Sequence, residues 1–554
     1  MAQSTQQYPW QYRPGEVVVA VQLPEDQEQH RQSHALVGQA VETHLAGRTG
    51  GVFHPVQRRP EPIVFRARGR APLGFLFYDL AQPDAHAPVK EVVSGVLTRQ
   101  ADVLAPLGGA GITPVGVMPH WLGSAQVAYG DGSPASVPRP TAPPGDGRWR
   151  FRYTPRDPAL DSRARLRDTP AAGAVSVLVL DTAPRWGQAR RQAEYLADRN
   201  GSLPEVFDLL DRHPLQDWHA AAARGMREDG LELAPSPDGR AHEYDMSDHG
   251  LFVAGLIHDL APHADLRLRP VLNPRGVGDL QLLLRVLADE VARKDPDVPL
   301  VINMSLAFAP KLEHLPWMWY GVKRPNDPEF VDDSLTADVV RYAGWPAHAD
   351  DRAWLARHRD EVEQTTRLLH SGIDQLARYL LANNCLGVAA AGNDSRKRVE
   401  GGRPRLGPRV PARYESVLGV AATTGDPSQA ASYSNAGGDL EFGDHIATFG
   451  GEVTASNEPE DGVVGLYSAP TFPGVPGGTD GSLTNETGWA TWSGTSFATA
   501  IASGLVAGYW AEQGATAPGM HAEAVLLQFN TLARDYAPAL RTPSIAVEGA
   551  WERC

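Results

Sequence analysis

Three polar residues of this 554-residue chain have types and neighbours suited to nucleophilic chemistry. Ser496 follows a Ser-Gly-Thr turn and opens a run of small apolar residues, which predicts a closely packed helix. A serine in the first turn of such a helix lies near the positive end of the helix dipole, where a developing oxyanion would be stabilised. The same turn is also typical of a simple helix N-cap, so Ser496 alone does not decide between the two interpretations.

Asp181 and His249 are the other two candidates. Asp181 ends the apolar run Ala-Val-Ser-Val-Leu-Val-Leu, which predicts a strand buried on both faces of a parallel sheet. Functional groups collect at the carboxyl ends of such strands. His249 opens a second small-residue helix. An aspartate here can instead cap a turn, and an isolated histidine is more often structural, so the rest of the chain must decide.

Strands and helices alternate around these residues, which predicts an α/β fold with a mostly parallel sheet flanked by helices. The further segments predicted as strands are 265–272, 300–306 and 387–391, and those predicted as helices are 280–293 and 352–383.

The chain divides into three parts on composition. Residues 1–128 predict a smaller α+β domain, because a strand at 16–24 is followed by a helix at 26–45 and further short strands. Residues 129–171 begin with a stretch rich in Pro and Gly and predict a linker and connecting segment. Residues 172–554 predict the α/β domain, with insertions near 184–240 and 308–351.

Five blocks of this last part resemble the subtilisin-like serine peptidases (subtilases, peptidase family S8), in the order in which that family has them. The resemblance covers roughly residues 172–535. The blocks are Val-Leu-Val-Leu-Asp181-Thr, His249-Gly-Leu-Phe-Val-Ala-Gly, Val-Ile-Asn303-Met-Ser305-Leu, Ala-Ala-Ala-Gly-Asn393-Asp and Ser-Gly-Thr-Ser496-Phe-Ala-Thr.

The resemblance implies a catalytic role for each block. Ser496 would be the nucleophile and His249 the base that takes its proton, because a serine hydroxyl is a poor nucleophile at its own pKa. Asp181 would fix the imidazole tautomer. The side-chain amide of Asn393 and the backbone N–H of Ser496 would form the oxyanion hole. The implied activity is serine endopeptidase hydrolysis of protein or peptide substrates through an acyl-enzyme.

Substrate-binding residues follow from the same resemblance. The substrate backbone would add as a strand to two segments of the chain. One is an extended edge, and the other is a wall of the specificity pocket. The edge residues are Ser305, Leu306 and Ala307, and the wall residues are Ala390, Ala391 and Gly392. Ala307 stands where the family commonly has glycine, so its methyl group is expected to narrow the cleft.

No cofactor is expected for catalysis and no metal ligand is assigned. The added loop that carries a strong calcium site in many relatives is absent after residues 257–260, where the chain passes directly into Ala-Pro-His-Ala. Weaker sites in loops such as 439–444 stay open. His258 and His263 do not indicate a metal site without further ligands.

Bulk properties exclude several other functions. The net charge of −15 without a long basic block argues against nucleic acid as a partner, and no apolar run is long enough to span a bilayer. The N-terminus shows no conventional signal peptide, and the chain has two cysteines, so we expect a cytoplasmic protein without a disulfide framework. Secretion by another route stays open.

The sequence leaves several points open. A transpeptidase or cyclase would use the same acyl-enzyme, and a binding protein could keep the fold without turnover. The first domain resembles the family's propeptides in element order, which makes inhibition in cis a hypothesis. The insertion at 308–351 is hypothesised to roof the cleft. A basic stretch from Arg396 to Arg413 is typical of a solvated loop or would attract an acidic substrate segment, whereas Asp394 favours a basic substrate side chain.

Overall fold

The computed structural model describes most of both predicted domains. The described residues are 12–46, 56–57, 61–67, 69–80, 92–93, 96, 105–125, 136–144, 149–163, 175–200, 246–274, 276–308, 368–402, 404–436, 445–454, 458–474, 483–513 and 521–553. The insertion at 308–351, the loop at 439–444 and the second part of the insertion at 184–240 therefore lie outside the described residues, apart from Phe308.

The strands are numbered in chain order. They are β1 (Tyr12–Gln22), β2 (Val56–Gln57), β3 (Ile63–Ala67), β4 (Arg70–Asp79), β5 (Thr113–Ser124), β6 (Arg139–Pro140), β7 (Trp149–Pro155), β8 (Ser176–Asp181), β9 (Asp265–Pro270), β10 (Val277–Asp279), β11 (Leu300–Met304), β12 (Ala307–Phe308), β13 (Cys385–Ala390), β14 (Val417–Thr423), β15 (His445–Phe449), β16 (Glu452–Val453), β17 (Pro459–Asp461), β18 (Val463–Leu466), β19 (Thr471–Phe472), β20 (Leu483–Thr484), β21 (Trp489–Trp492), β22 (Asp535–Ala537), β23 (Thr542–Ile545) and β24 (Val547–Arg553).

The helices are numbered in the same way. They are α1 (Gln29–Ala46), α2 (Trp186–Asn200), α3 (His249–Leu260), α4 (Leu280–Arg293), α5 (Ser371–Leu381), α6 (Arg396–Glu400), α7 (Thr495–Glu512) and α8 (Ala522–Leu532). None of the described helices is long and apolar enough to cross a membrane.

The α/β domain is built on a sheet with the order β22-β23-β15-β14-β13-β11-β8-β9 among the described strands. Neighbours in this sheet are parallel, except for the edge pair β22 and β23. The inner strands β11, β13 and β14 are fully buried, which agrees with their continuous apolar sequences. The predicted α/β fold with a mostly parallel sheet is confirmed.

Helix α7 lies at the centre of this domain and is buried over most of its length. Its small residues let α3 approach closely. A side chain at Gly504 would place its first carbon 2.7 Å from Cβ of Leu260 on α3, and one at Gly508 would come 2.2 Å from Oγ of Ser162. The predicted close packing of this helix is therefore confirmed, and it brings the end of α3 against α7.

The first domain is an antiparallel sheet in which β5, β1, β4 and β2 are neighbours and β3 pairs with β4. Its apolar side packs against α5: a side chain at Gly372 would meet Met118 at 2.2 Å, and Trp121 donates through Nε1 to the Leu369 carbonyl at 3.0 Å. The sequence pattern predicts one of the short strands of this domain over residues 112–118, but β5 runs to Ser124. The extra residues are extended because they pair with β10 and β12 of the α/β domain.

Two strands in the segment predicted as a linker pair with strands of the α/β domain. Strand β6 pairs with β21, and β7 pairs with the C-terminal strand β24. Val137 is fully buried, and the Ser136 hydroxyl accepts from the Ser493 backbone nitrogen at 2.8 Å. Proline and glycine content predicted a linker, but it could not reveal partners that lie about 350 residues further along the chain.

A buried ionic cluster joins the two domains. Nδ1 of His120 on β5 lies 2.5 Å from Glu16, and its Nε2 lies 3.6 Å from Asp279, which also binds Arg13 at 2.7 Å. The same Nε2 lies 3.1 Å from the Gln281 backbone nitrogen, a contact available to the neutral ring. Burial lowers the pKa of His120, but hydrogen bonds to Asp279 and Glu16 and attraction by both outweigh it, so its pKa is raised. Among the described residues, His120, Arg13, Glu16 and Asp279 thus form one buried charged cluster across the contact between the domains.

Candidate active site

The carboxylate of Asp181 and the ring of His249 meet at the end of the central sheet. Asp181 is the last residue of β8 and is fully buried, and His249 is the first residue of α3. His249 Nδ1 lies 2.8 Å from Asp181 Oδ1, which also accepts from the Thr182 backbone nitrogen at 2.6 Å. The carboxylate therefore holds the proton on Nδ1 and leaves Nε2 as the basic nitrogen of the neutral ring.

Close contact between β8 and α3 brings this pair together. A side chain at Gly250 would lie 2.0 Å from the Thr182 carbonyl oxygen and 3.0 Å from Cβ of Asp181, so only glycine fits. The Thr182 hydroxyl accepts from the Gly250 backbone nitrogen at 3.1 Å and donates to the Met246 carbonyl at 2.7 Å. The start of α3 is thereby bound directly to the end of β8.

Asp248 is a buried residue of the site that the sequence interpretation did not assign. Its carboxylate accepts from the backbone nitrogen and the hydroxyl of Ser468 and from the Ala469 backbone nitrogen at 2.7 Å. It thereby fixes the residue before His249 to the loop that follows β18. The signal available in the sequence was an aspartate directly before the candidate base, which is also what an ordinary helix cap looks like.

Ser496 is the second residue of α7 and faces the edge strand. Its hydroxyl donates to the Ser305 carbonyl at 3.3 Å, and the Ser305 hydroxyl donates back to the Ser496 carbonyl at 2.9 Å. Among the described contacts, the Ser496 hydroxyl is not hydrogen bonded to His249, which fits the longer catalytic contacts of unliganded sites. The ring of His249 packs against Trp492 and Phe497, with centroid distances of 5.3 and 5.4 Å.

Asn393 lies beside the start of α7, and its orientation is fixed by Thr495. Its Oδ1 accepts from the backbone nitrogen of Thr495 at 3.0 Å and from the Thr495 hydroxyl at 2.8 Å. Because the carbonyl half of the amide is used in this way, the NH₂ half is the donor that this side chain can present to an oxyanion. Thr495 is a second residue that sequence reasoning did not assign.

The pocket wall is shaped by Asn435. Gly392 has a φ of +119°, a conformation that favours glycine, and a side chain there would meet Asn435 Nδ2 at 2.3 Å. Asn435 donates to the Ala391 carbonyl at 3.1 Å and accepts from the Asp394 backbone nitrogen at 3.1 Å. Ala390, Ala391 and Gly392 are all buried.

The segment predicted to bind the substrate backbone is paired with the first domain in the structure. Ser305, Leu306 and Ala307 are buried, and β12 pairs with the end of β5, where Ala307 is opposite Ser124. On its other side β5 pairs with β10, and Ala125 continues this pairing by donating to the Gly276 carbonyl at 2.9 Å. The end of the first domain thus lies between two strands of the α/β domain.

Arg396 and Arg405 of the basic stretch form hydrogen bonds within the α/β domain. Arg396 pairs with Glu400 at 2.9 Å and donates to the Thr454 carbonyl. Arg405 donates to the carbonyls of three residues in the turn that precedes β15, namely Ala431, Ser432 and Ser434. Arg409 lies beside the pocket wall. No group of three or more His, Cys, Asp or Glu residues that could hold a metal ion occurs in the described part of the chain.

Comparison with known proteins supports the class that the fold and these residues define. The model of the subtilase family, Peptidase_S8, matches residues 173–528. The chain belongs to the subtilase family and is a serine-type peptidase, a hydrolase. No curated protein matches the chain.

Several solved structures are similar. A lanthipeptide protease is 17% identical with a TM-score of 0.36 over 70% of this chain and 91% of its own. The prenylagaramide maturation protease is 18% identical with a TM-score of 0.35 over 69% of this chain and 93% of its own. The epidermin leader peptide processing serine protease of Staphylococcus aureus is 11% identical with a TM-score of 0.39 over 95% of this chain and 96% of its own.

Proposed function

We propose that the protein is an endopeptidase that cleaves protein or peptide substrates through an acyl-enzyme formed on Ser496. The observation that carries the proposal is the buried Asp181–His249 pair, with Nδ1 and Oδ1 2.8 Å apart. The ring of His249 packs against Phe497, the residue that follows Ser496 on α7. His249 would take the proton of the Ser496 hydroxyl as the oxygen attacks the substrate carbonyl. It would then give that proton to the leaving amine.

The negative charge on the attacked oxygen would be bound by two donors. One is the amide nitrogen of Asn393, which Thr495 orients, and the other is the backbone N–H of Ser496 in the first turn of α7. Asp181 stays ionised and stabilises the imidazolium of His249. Water then attacks the acyl-enzyme with His249 as base, which releases the acid product and the free Ser496 hydroxyl.

A covalent fluorophosphonate tests the nucleophile. The full chain should be labelled at Ser496, as located by peptide mass spectrometry, and Ser496→Ala should not be labelled. Ser428→Ala is the matched control, since Ser428 is an exposed loop serine outside the site. Equal labelling of the wild-type and Ser496→Ala chains would refute the assignment, and so would the absence of labelling in an Ala125→Pro chain, in which the first domain is expected to leave the groove. Running peptide cleavage with an added amine separates hydrolysis from the transpeptidase alternative by product mass.

We also propose that the first domain inhibits the enzyme in cis. Support comes from β5, which lies as a strand between β10 and β12, where a substrate backbone would pair. Self-processing by Ser496 would create a new N-terminus near residues 129–170, in the segment that follows the first domain. N-terminal sequencing should find this new terminus in the wild-type chain and not in Ser496→Ala. A stable, intact and fully active chain would contradict the inhibition.

A further inference from the structure

Arg409 is the one residue of the basic stretch with a described contact to the substrate edge. Its backbone nitrogen donates to the Ala391 carbonyl at 2.9 Å, which places it alongside the pocket wall. Its guanidinium reaches across to the Phe308 carbonyl of β12 at 3.4 Å. The side chain therefore spans the gap between the wall and the edge strand, and 13% of it is exposed.

The end of β5 shows where a substrate side chain would enter this gap. Ser124 is opposite Ala307, and Ala125 bonds to Gly276. A substrate that keeps this antiparallel register for one more residue faces Ser305, whose carbonyl lies 3.3 Å from the Ser496 hydroxyl. That residue, the P1 residue, carries the carbonyl that Ser496 attacks. Its side chain enters the space between residues 305–307 and 390–392, which Arg409 borders.

The Arg409 guanidinium has few close hydrogen-bond acceptors among the described residues. Arg409 Nε is buried without a hydrogen-bond partner. The contact with Phe308 is long, and the closest described carboxylate, on Asp394, lies 3.9 Å from Nε, beyond hydrogen-bond distance. Asp394 Oδ2 itself accepts from Asn435 at 3.2 Å. A buried donor of this kind favours a ligand that supplies an acceptor, and a carboxylate offers two oxygens in the geometry of the guanidinium fork.

We propose that Arg409 selects substrates with an acidic residue at P1, the residue immediately before the cleaved bond. This inference rests on the proposed function, since it assigns a specificity to the same site. It also decides between the two opposite cues in the sequence. Arg396 and Arg405 are used by the fold, and Asp394 is held by Asn435, so Arg409 supplies the charge that meets the P1 side chain. A lysine at P1 would bring a second cation against the guanidinium.

Peptidyl diphenyl phosphonates test the proposal on the full chain. Four probes would share the same P2–P4 residues and carry Glu, Gln, Leu or Lys at P1. Their labelling rates at Ser496 are divided by the rate of a plain fluorophosphonate, which has no P1 side chain. We expect the Glu probe to react at least about tenfold faster than the Lys probe, as one charge-assisted hydrogen bond allows.

Three variants complete the experiment. Arg409→Gln should reduce the Glu preference to within about threefold, whereas Arg534→Gln, which removes an exposed arginine far along the chain, should leave it unchanged. Asp394→Asn should strengthen the preference, because it removes the competing negative charge. Equal rates for the four probes in the wild-type protein, or a preference that survives in Arg409→Gln, would overturn the proposal. Failure of the plain fluorophosphonate to label Ser496, even in the Ala125→Pro chain, would instead refute the proposed function.

Discussion

Replacing Gly250 by alanine should lower the activity of the enzyme sharply, because it displaces His249 from Asp181. The new methyl carbon would lie 2.0 Å from the Thr182 carbonyl oxygen, where ordinary contacts begin near 3.4 Å, so α3 must retreat from β8 by about 1.4 Å. The Asp181–His249 hydrogen bond of 2.8 Å cannot survive such a shift unchanged. A misplacement of about 1 Å costs on the order of 10²-fold in rate, and we expect a loss of at least that size in kcat/KM.

Gly255→Ala is the matched control on the same helix. A methyl group there meets Leu466 side-chain atoms, the closest at 3.1 Å, and these can move slightly. Alanine also favours a helix over glycine by about 1 kcal/mol, so this variant should keep its activity and its stability. Gly250→Ala should lose about 1–3 kcal/mol of the free energy of unfolding through overpacking. Peptide cleavage and thermal unfolding would be measured for both. Wild-type activity in Gly250→Ala, or an equal loss in Gly255→Ala, would refute the reasoning.

Three further predictions concern the oxyanion donor, the domain contact and the groove. Thr495→Val should lower kcat about tenfold or more with little change in KM, because the amide of Asn393 loses an anchor; unchanged steady-state kinetics would contradict this. The charged form of His120 stabilises the docked domain below its ordinary pKa, and this stabilisation is lost as pH rises through the raised pKa. Limited proteolysis of the inactive Ser496→Ala chain should therefore show looser docking at alkaline pH, and His120→Gln should abolish that dependence. Ala125→Pro removes a backbone donor and should speed fluorophosphonate labelling, whereas Ala125→Gly keeps the donor and should not; equal rates in the two would count against groove occupation.

Much of the fold follows from local sequence pattern. The apolar run before Asp181 and the small residues after Ser496 predicted a buried strand and a tightly packed helix, and the structure has both. Helix α4 has the predicted bounds of 280–293. These elements could be predicted because the spacing of apolar residues in the local sequence indicates which faces are buried. The extra length of β5 and the pairing of β6 with β21 could not, since their partners are distant in sequence.

The candidate site divides in the same way. Residue type and motif order assign Asp181, His249, Asn393 and Ser496, because each role demands one kind of functional group. The supporting contacts of Asp248, Thr495 and Asn435 were missed, because common polar residues carry no signal until the groups that they bind are in place.

By itself the sequence determined the family, the alternating fold and the residues that could perform the chemistry. It left the preferred charge of the substrate undecided, since the basic stretch that includes Arg409 and the acidic residue Asp394 indicate substrates of opposite charge. Tertiary structure is the basis for proposing Arg409, because hydrogen bonding of Asp394 by Asn435 and the incomplete pairing of Arg409 depend on distances across the sheet. It also placed the end of the first domain between β10 and β12, where only the register of three strands from distant parts of the chain can put it.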